Sequence, residues 1–552
     1  MDTAALREPW FRSPTENEQP FRLSRMLRAT GRTFQSLACF PWTPQSLASL
    51  WDGYASSDPD LSSKWDLMVQ QWMGAIAVGG NGSFYIFTKL GSAKPIHVPL
   101  PDCTLDVMNI AWAINSNDPL RPLLVLTVTS VIVIFDVISR SIVGRLRGHG
   151  GPITSLAVHP SHPHLFCTTS RDFTARIYDL SLQPVQRPNN PCWLPNTQPS
   201  LAGPAHGLHM NEPEGEGIGQ CVAVMVGGRS GGHQGAVLCS AFHPSQPLIA
   251  TGGMDRAVKI WRIPPSVFNP PQEPQLARED KPLFSTDLLH KARVWAVDWL
   301  ADDIITSCSA PALMRRNADE PEDTYWEDGT VGVWQWLGFN RFFPPGKIPQ
   351  KVMRGTASDW RNSESFKILA AYHLPTVVKR VHVYRSLTHD PMLLMPIGKT
   401  IRIFNMSLFK PRTPPKFPLD VVDLSLQMTT QMHIGEDNLR DTEKGSTSVP
   451  ESTTVDGDAR GDEALPNVGD GEGEKRSRQR NSSVQYPPPA PLAALFESVE
   501  GWAVTAELQR RDGHPDIPDI TVCAMGFEGL RIVGIGQNGT LFVWRLREQL
   551  LS

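Results

Sequence analysis

Seven stretches of the chain share one hydropathy pattern. A run of apolar, mostly β-branched or aromatic residues leads into a polar or glycine turn, and a second apolar run closes on an aromatic side chain. The turn residue stands six positions before the closer in every copy: Asn81 before Phe87, Thr129 before Phe135, Asp172 before Tyr178, Asp255 before Trp261, Asp328 before Trp334, Gly398 before Phe404 and Asn538 before Trp544. Gly, Asn and Asp suit tight hairpin turns, which often need positive φ. The runs are apolar at successive positions, as in strands covered on both faces. Each copy is therefore predicted to be a small antiparallel sheet that cannot bury both faces alone, so several must stack in a ring.

Two copies carry a longer register. Gly148-His149 precedes Tyr178 by 29 residues counted from the histidine, and Gly232-His233 precedes Trp261 by 28. Gly-His, then a turn Asp, then a closing aromatic is the WD40 signature. The fold predicted is all-β: a seven-bladed WD40 β-propeller with long disordered insertions. His149, Thr168, Asp172 and Tyr178 in blade three, and His233, Thr251, Asp255 and Trp261 in blade four, are expected to form buried hydrogen-bonded relays. A Ser-His-Asp reading of them is set aside, because residues that recur in register satisfy one another's buried polar atoms.

Successive closers lie 48, 43, 83, 73, 70 and 140 residues apart, against roughly 40–45 for a plain unit. The excess falls in insertions at 183–218, 311–327, 339–366 and 411–498. The last is charged and poor in apolar residues, so burial cannot offset the entropy of ordering it, and it is expected to be disordered. The organisation read from the chain is an N-terminal extension (1–33), blades one to six (34–410), the acidic and basic insertion (411–498) and blade seven (499–552). The stretch LREPWFRSPTENEQPFRL is expected to supply the outer strand that closes blade seven, since an open ring leaves a bare sheet edge.

Composition narrows the functional classes. The 552 residues carry a net charge of −4, which gives no global basic footprint for nucleic acid. Among eight scattered cysteines there is no CxxC pair, and Cys167, Cys239, Cys308 and Cys523 fall in predicted strands as small buried hydrophobes. Neither a leader-like apolar segment nor a run of membrane-spanning length is present, so a soluble intracellular protein is expected. The histidines of His159-Pro160-Ser161-His162-Pro163-His164 are separated by prolines, and His-Pro recurs at His243-Pro244. A turn between the second and third strands explains the pair better than zinc. His206 and His209 lack nearby cysteines. The Gly227–Gly232 run lacks the Lys-Ser/Thr ending of a phosphate loop. Lys475–Arg480 reads as an import signal or a solvated charge run, and Tyr486-Pro487-Pro488-Pro489 as a polyproline spacer. No inward cluster of Asp, Glu or His recurs at the blade starts. Neither an enzyme nor a cofactor or metal site is expected.

Several strings resemble the EED/extra sex combs family of Polycomb complex subunits. They are GHGGPITSLAVHPSHPHLF (148–166), GMDRAVKIWRI (253–263) and FSTDLLHKARVWAVDWLADDIITS (284–307), the last lying outside the general WD40 consensus. The resemblance implies a nuclear, non-catalytic scaffold for gene silencing. Its implied partners are an Enhancer-of-zeste-like SET-domain methyltransferase, which contributes a helix, other Polycomb subunits, and the histone H3 tail, with no direct nucleic acid or membrane. It also implies an aromatic cage for trimethyl-lysine, and the aligned positions are Phe40, Met108, His382 and Val383. Only Phe40 keeps an aromatic hydrocarbon ring, unless Trp42 or Tyr384 supplies one through a slip of one or two residues. Quaternary ammonium recognition draws about 0.5–2 kcal/mol from each ring face, so methyl-lysine reading is expected to be weak or lost. The competing reading is a substrate receptor of a cullin ubiquitin ligase. Such receptors close blades on Trp-Asp-x-Arg, whereas the closers here read Tyr178-Asp179-Leu180-Ser181 and Trp261-Arg262-Ile263-Pro264.

Overall fold

The computed structural model describes residues 9–12, 19–29, 33–57, 59–88, 94–100, 105–191, 210–226, 231–271, 275–316, 322–346, 353, 355–374, 378, 380–386, 388–407, 501–506 and 517–547. The expectations for His206, His209, Gly227–Ser230, Lys475–Arg480, the polyproline run and the 411–498 insertion lie outside them.

Seven sheets of four or five strands follow one another, antiparallel throughout except where Ala277–Glu279 pairs parallel with Gln220–Met225 in the third. The inner strands are Phe34–Cys39, Asn109–Asn115, Ile153–Val158, Val237–Phe242, Val294–Trp299, His382–Tyr384 and Ile520–Gly526. All seven closing aromatics lie in third strands: Phe87, Phe135, Tyr178, Trp261, Trp334, Phe404 and Trp544. Several turn residues before them adopt the positive φ their types allow, including Gly398 (58°) and Asn538 (60°).

Seven clusters of buried apolar side chains make the core, one between each pair of adjacent blades. Trp112, Phe84 and Phe135 lie between blades one and two, and Phe166 and Ile134 between two and three. Ile177 and Trp261 fill the next interface, Trp299 and Trp334 the one after. Tyr372 and Leu393 join blades five and six, and Trp502 and Trp544 join six and seven. Ile76, Val78, Val533 and Ile535 join seven to one, so the ring is closed. Indole N–H groups tie neighbouring blades: Trp112 Nε1 donates to Ala38 O at 3.2 Å and Trp299 Nε1 to Ala241 O at 3.1 Å. A fully stacked sheet offers its edges nowhere else to bury such surface.

The outer strand of blade seven is Phe21–Arg28, paired antiparallel with Thr540–Leu546 from Phe21↔Leu546 to Arg28↔Thr540. The residues before it clasp blade six. Arg12 forms two bonds to the Asp390 carboxylate (3.1 and 3.0 Å), Asn405 Nδ2 donates to Phe11 O (2.6 Å), and Trp10 packs edge-on against Trp502.

Outer strands correct the boundaries read from the sequence. Gln220–Met225 is the fourth strand of blade three, so the 183–218 insertion sits inside that blade. Its end, Gly215–Gly217, adds a fifth strand to blade two. Glu214 fastens it: its carboxylate accepts the backbone N–H groups of Cys221 and Val185. The 339–366 segment likewise precedes the outer strand of blade five, Phe366–Leu374, and does not separate two blades. Trp502–Thr505 pairs with Thr400–Ile403 as the outer strand of blade six, so blade seven begins at Ile520, not at 499. Within 311–327, Ala312–Arg315 and Thr324–Glu327 form a separate hairpin.

The first connection of blade one contains a helix, Pro59–Trp72, that the strand pattern hides. Trp65, Met68, Val69 and Trp72 are buried at helical spacing. They pack into the cluster between blades one and two.

Candidate functional site

Two arrangements bear on function: the polar relays within blades, and the mouth of the central channel where the inner strands begin.

In blade four the relay is complete. Trp261 Nε1 donates to Thr251 Oγ1 (2.9 Å), which bonds His233 Nε2 (2.8 Å), and His233 Nδ1 meets the Asp255 carboxylate at 3.0 Å. Burial pulls the His233 pKa down against the opposing pull of Asp255, so the ring is neutral. Its Nδ1–H then donates to Asp255, and its Nε2 accepts from Thr251. Burial opposes ionisation of Asp255, but His233 and the Gln234 N–H more than reverse this and hold its carboxyl well below the usual range. Gly253 makes room, since a Cβ there would lie 2.9 Å from His233 Nδ1.

Blade three builds the same chain without its last link. His149 Nδ1 lies 2.9 Å from Asp172 Oδ2 and His149 Nε2 lies 2.7 Å from Thr168 Oγ1. Tyr178 does not join: its buried hydroxyl has no hydrogen-bond partner among the described residues, and its ring stacks on Phe166 at 5.1 Å. An indole N–H projects from the ring edge toward Thr251, whereas a phenol hydroxyl projects along the ring axis and passes the threonine. Blade five carries a relay that the sequence reading missed. His290 Nε2 meets Ser307 Oγ at 2.7 Å, Trp334 Nε1 donates to the same oxygen at 2.9 Å, and Thr330 stands in the aspartate's place. The hairpin at 312–327 stretches His290 to 44 residues before Trp334, so the register count passes over it.

The His-Pro turns lie between first and second strands, not second and third, because the Asp172 and Asp255 turns occupy the latter place. His159 Nδ1 accepts the N–H groups of Ser161 and His162, and His243 Nδ1 those of Ser245 and Gln246. Burial pulls the His243 pKa to about 4. These rings cap turns. Cys167, Cys239, Cys308 and Cys523 are buried within strands, and burial raises the Cys167 thiol to about 12.

The four cage positions do not converge. Ser36 Oγ donates to Val107 O and Trp112 Nε1 to Ala38 O, so the inner strands of blades one and two run side by side in one direction. Phe40, beyond the end of its strand, lies edge-on to Trp42 and Trp112, each 5.2 Å away, inside the core. Met108 precedes the start of its strand, four residues back from Trp112, which is roughly 13 Å along the strands at 3.3 Å per residue. The entrance of blade six does come to Met108. Arg380 Nη2 donates to Met108 O (2.5 Å) and to Asn109 Oδ1 (3.0 Å). Two blades separate six from two on one side and three on the other, so this link crosses the channel. Asn109 is itself held by Thr127, to whose Oγ1 its Nδ2 donates at 2.9 Å. His382 and Val383 follow Arg380 in the inner strand of blade six. Burial pulls the His382 pKa to about 4 against the opposing pull of a hydrogen bond to the Met525 backbone, and its Nε2 is buried with no hydrogen-bond partner among the described residues. Trp42 is in the core with Phe40, and Tyr384 packs with the cluster between blades six and seven. The mouth therefore presents a guanidinium and a thioether.

The model of the WD domain, G-beta repeat, matches residues 140–179 and 219–262. The Polycomb protein EED of Chaetomium thermophilum is 23% identical over 308 residues, 52% of this chain and 45% of that protein. The Polycomb group protein FIE1 of Zea mays is 27% identical over 156 residues, 28% of this chain and 25% of that protein. The chain thus spans less than half the length of the curated relatives it matches. Among solved structures, a chain of the apo Chaetomium Polycomb repressive complex 2 in an autoinhibited state superposes with a TM-score of 0.52. The match covers 95% of this chain and 98% of that one at 15% identity, which is a likeness of fold. The chain is thus a seven-bladed ring with two matches to the WD40 repeat, and over about half its length it is similar in sequence to the Polycomb protein EED.

Proposed function

We propose that this propeller is a non-catalytic subunit of a Polycomb-type histone H3 lysine methyltransferase complex, binding a helix of an Enhancer-of-zeste-like catalytic subunit in the nucleus. The observation that carries this reading is the 308-residue similarity to Polycomb protein EED. The interior supports it as well, because His233 and His243 are buried, neutral and spent on a relay and a turn. A rigid ring with two open faces suits a scaffold that holds an enzyme on one side and meets chromatin on the other.

Trimethyl-lysine reading is weak or lost in this account. A cage needs several ring faces around one cation. Here the mouth holds a guanidinium, and two like charges at about 4 Å repel by about 4 kcal/mol at an effective dielectric of 20. Affinity purification from nuclear extract followed by mass spectrometry tests the scaffold role. SET-domain methyltransferase subunits are the expected catch; cullin adaptors in their place point to the ubiquitin-ligase reading.

A further inference from the structure

Several arginines of the described ring are paired with carboxylates: Arg12 with Asp390, Arg262 with Glu279, Arg341 with Asp359, Arg385 with Asp298. Arg380 differs. Both its hydrogen bonds come from Nη2 and end on neutral oxygens, and no carboxylate pairs with it among the described residues. The N–H groups on Nε and Nη1 have no acceptor there either. The side chain is only half-buried, yet the surrounding protein withdraws enough water to pull its pKa down. Such a cation, fixed in place and left uncompensated, is costly in the free protein and favours an arriving anion.

The tether fixes its aim. Thr127 orients Asn109, and Asn109 and the Met108 carbonyl hold Nη2. Met108, whose carbonyl takes one of these bonds, has a side chain 42% exposed, and Leu105, three residues earlier in the connection from blade one to blade two, is 53% exposed. We propose that this mouth binds a carboxylate on an acidic polypeptide segment, with Arg380 as the charge partner and Leu105 and Met108 receiving an adjacent apolar residue. A carboxylate matches the single uncompensated charge, whereas a phosphate dianion brings a second negative charge with no partner. The inference shares with the proposed function only the use of this face of the ring. It is tested on the purified chain, so its failure leaves the co-purification result standing.

Isothermal titration of the full chain with the capped peptide Ac-ELELEL-NH2, its glutamine counterpart Ac-QLQLQL-NH2 and inorganic phosphate is the direct test. The glutamate peptide should bind about tenfold or more tightly than the glutamine peptide, as a hydrogen bond to a charged group allows. R380Q should remove that difference. Asn109→Asp supplies an internal carboxylate at the Arg380 contact and should abolish peptide binding while raising the melting temperature, which guards against misfolding of the first variant. Equal binding of the two peptides, binding unaffected by either substitution, or binding of phosphate alone overturns the proposal.

Discussion

Arg380 of blade six and Asn109 of blade two share a 3.0 Å hydrogen bond although their blades are not neighbours in the ring. The contact brings a fixed positive charge to the channel mouth beside Met108, where the proposed account leaves a trimethyl-lysine facing like charge. Titration of the protein with a trimethylated H3 peptide should therefore give no methyl-dependent heat. Micromolar binding that disappears with the unmethylated peptide contradicts this.

The two relays differ by one link, and stability should report it. In Thr251→Val, His233 Nε2 and Trp261 Nε1 both lose their partner. Stranding two buried polar groups costs roughly 2–4 kcal/mol. Tyr178→Phe removes a hydroxyl that bonds nothing among the described residues, so its cost should stay within about 0.5 kcal/mol. Urea unfolding midpoints decide between them, and equal losses in the two variants would show that Tyr178 belongs to a relay.

Ring closure depends on the paired N-terminal strand. Phe21 is 1% exposed in the cluster between blades six and seven, and Phe21→Ala should cost about 3–5 kcal/mol. Deleting residues 1–28 removes the whole strand and the Arg12–Asp390 pair and should lower the melting temperature sharply. An unchanged melting curve for the deletion would mean that the blade closes by other means.

Acid should unfold the ring through its histidines. Burial lowers His164, His243, His290 and His382 to about 4 in the folded chain, while the unfolded chain binds protons near 6.5. Below 6.5 the unfolded state takes up protons that the folded state refuses. Each site then withdraws roughly 1.4 kcal/mol of stability per pH unit until about pH 4. Glu214 works in the opposite sense. Burial raises its carboxyl to about 7, so the unfolded state alone releases a proton between about 4.5 and 7, and stability declines there as pH rises. Four sites outweigh one, so the melting temperature should climb from pH 4 to about 6.5 and then level. A profile flat across that range would refute the neutral, buried state of these rings.

Much of the ring was legible because its signal is local. A turn residue and an aromatic six positions later lie on one hairpin, so all seven third strands could be counted from Phe87, Phe135, Tyr178, Trp261, Trp334, Phe404 and Trp544. The outer strands were not legible. Gln220–Met225, Phe366–Leu374 and Trp502–Thr505 follow long connections and carry no turn signature, so spacing alone left them with the blade that follows each in sequence. His290 was missed for the same reason, being moved out of register by a hairpin. Arg380 and Asn109 are 271 residues apart, and only closure of the ring brings them together. Phe40 looked like a ring for a cage because residue type says nothing about which end of a strand it occupies. Its packing on Trp112 answers that.

The most direct test of the scaffold role is to identify what the intact chain carries out of nuclear extract by affinity purification and mass spectrometry. Stoichiometric recovery of a SET-domain methyltransferase with other Polycomb subunits is the predicted result. Repeated purifications yielding cullin adaptors, or no methyltransferase subunit at all, would contradict it.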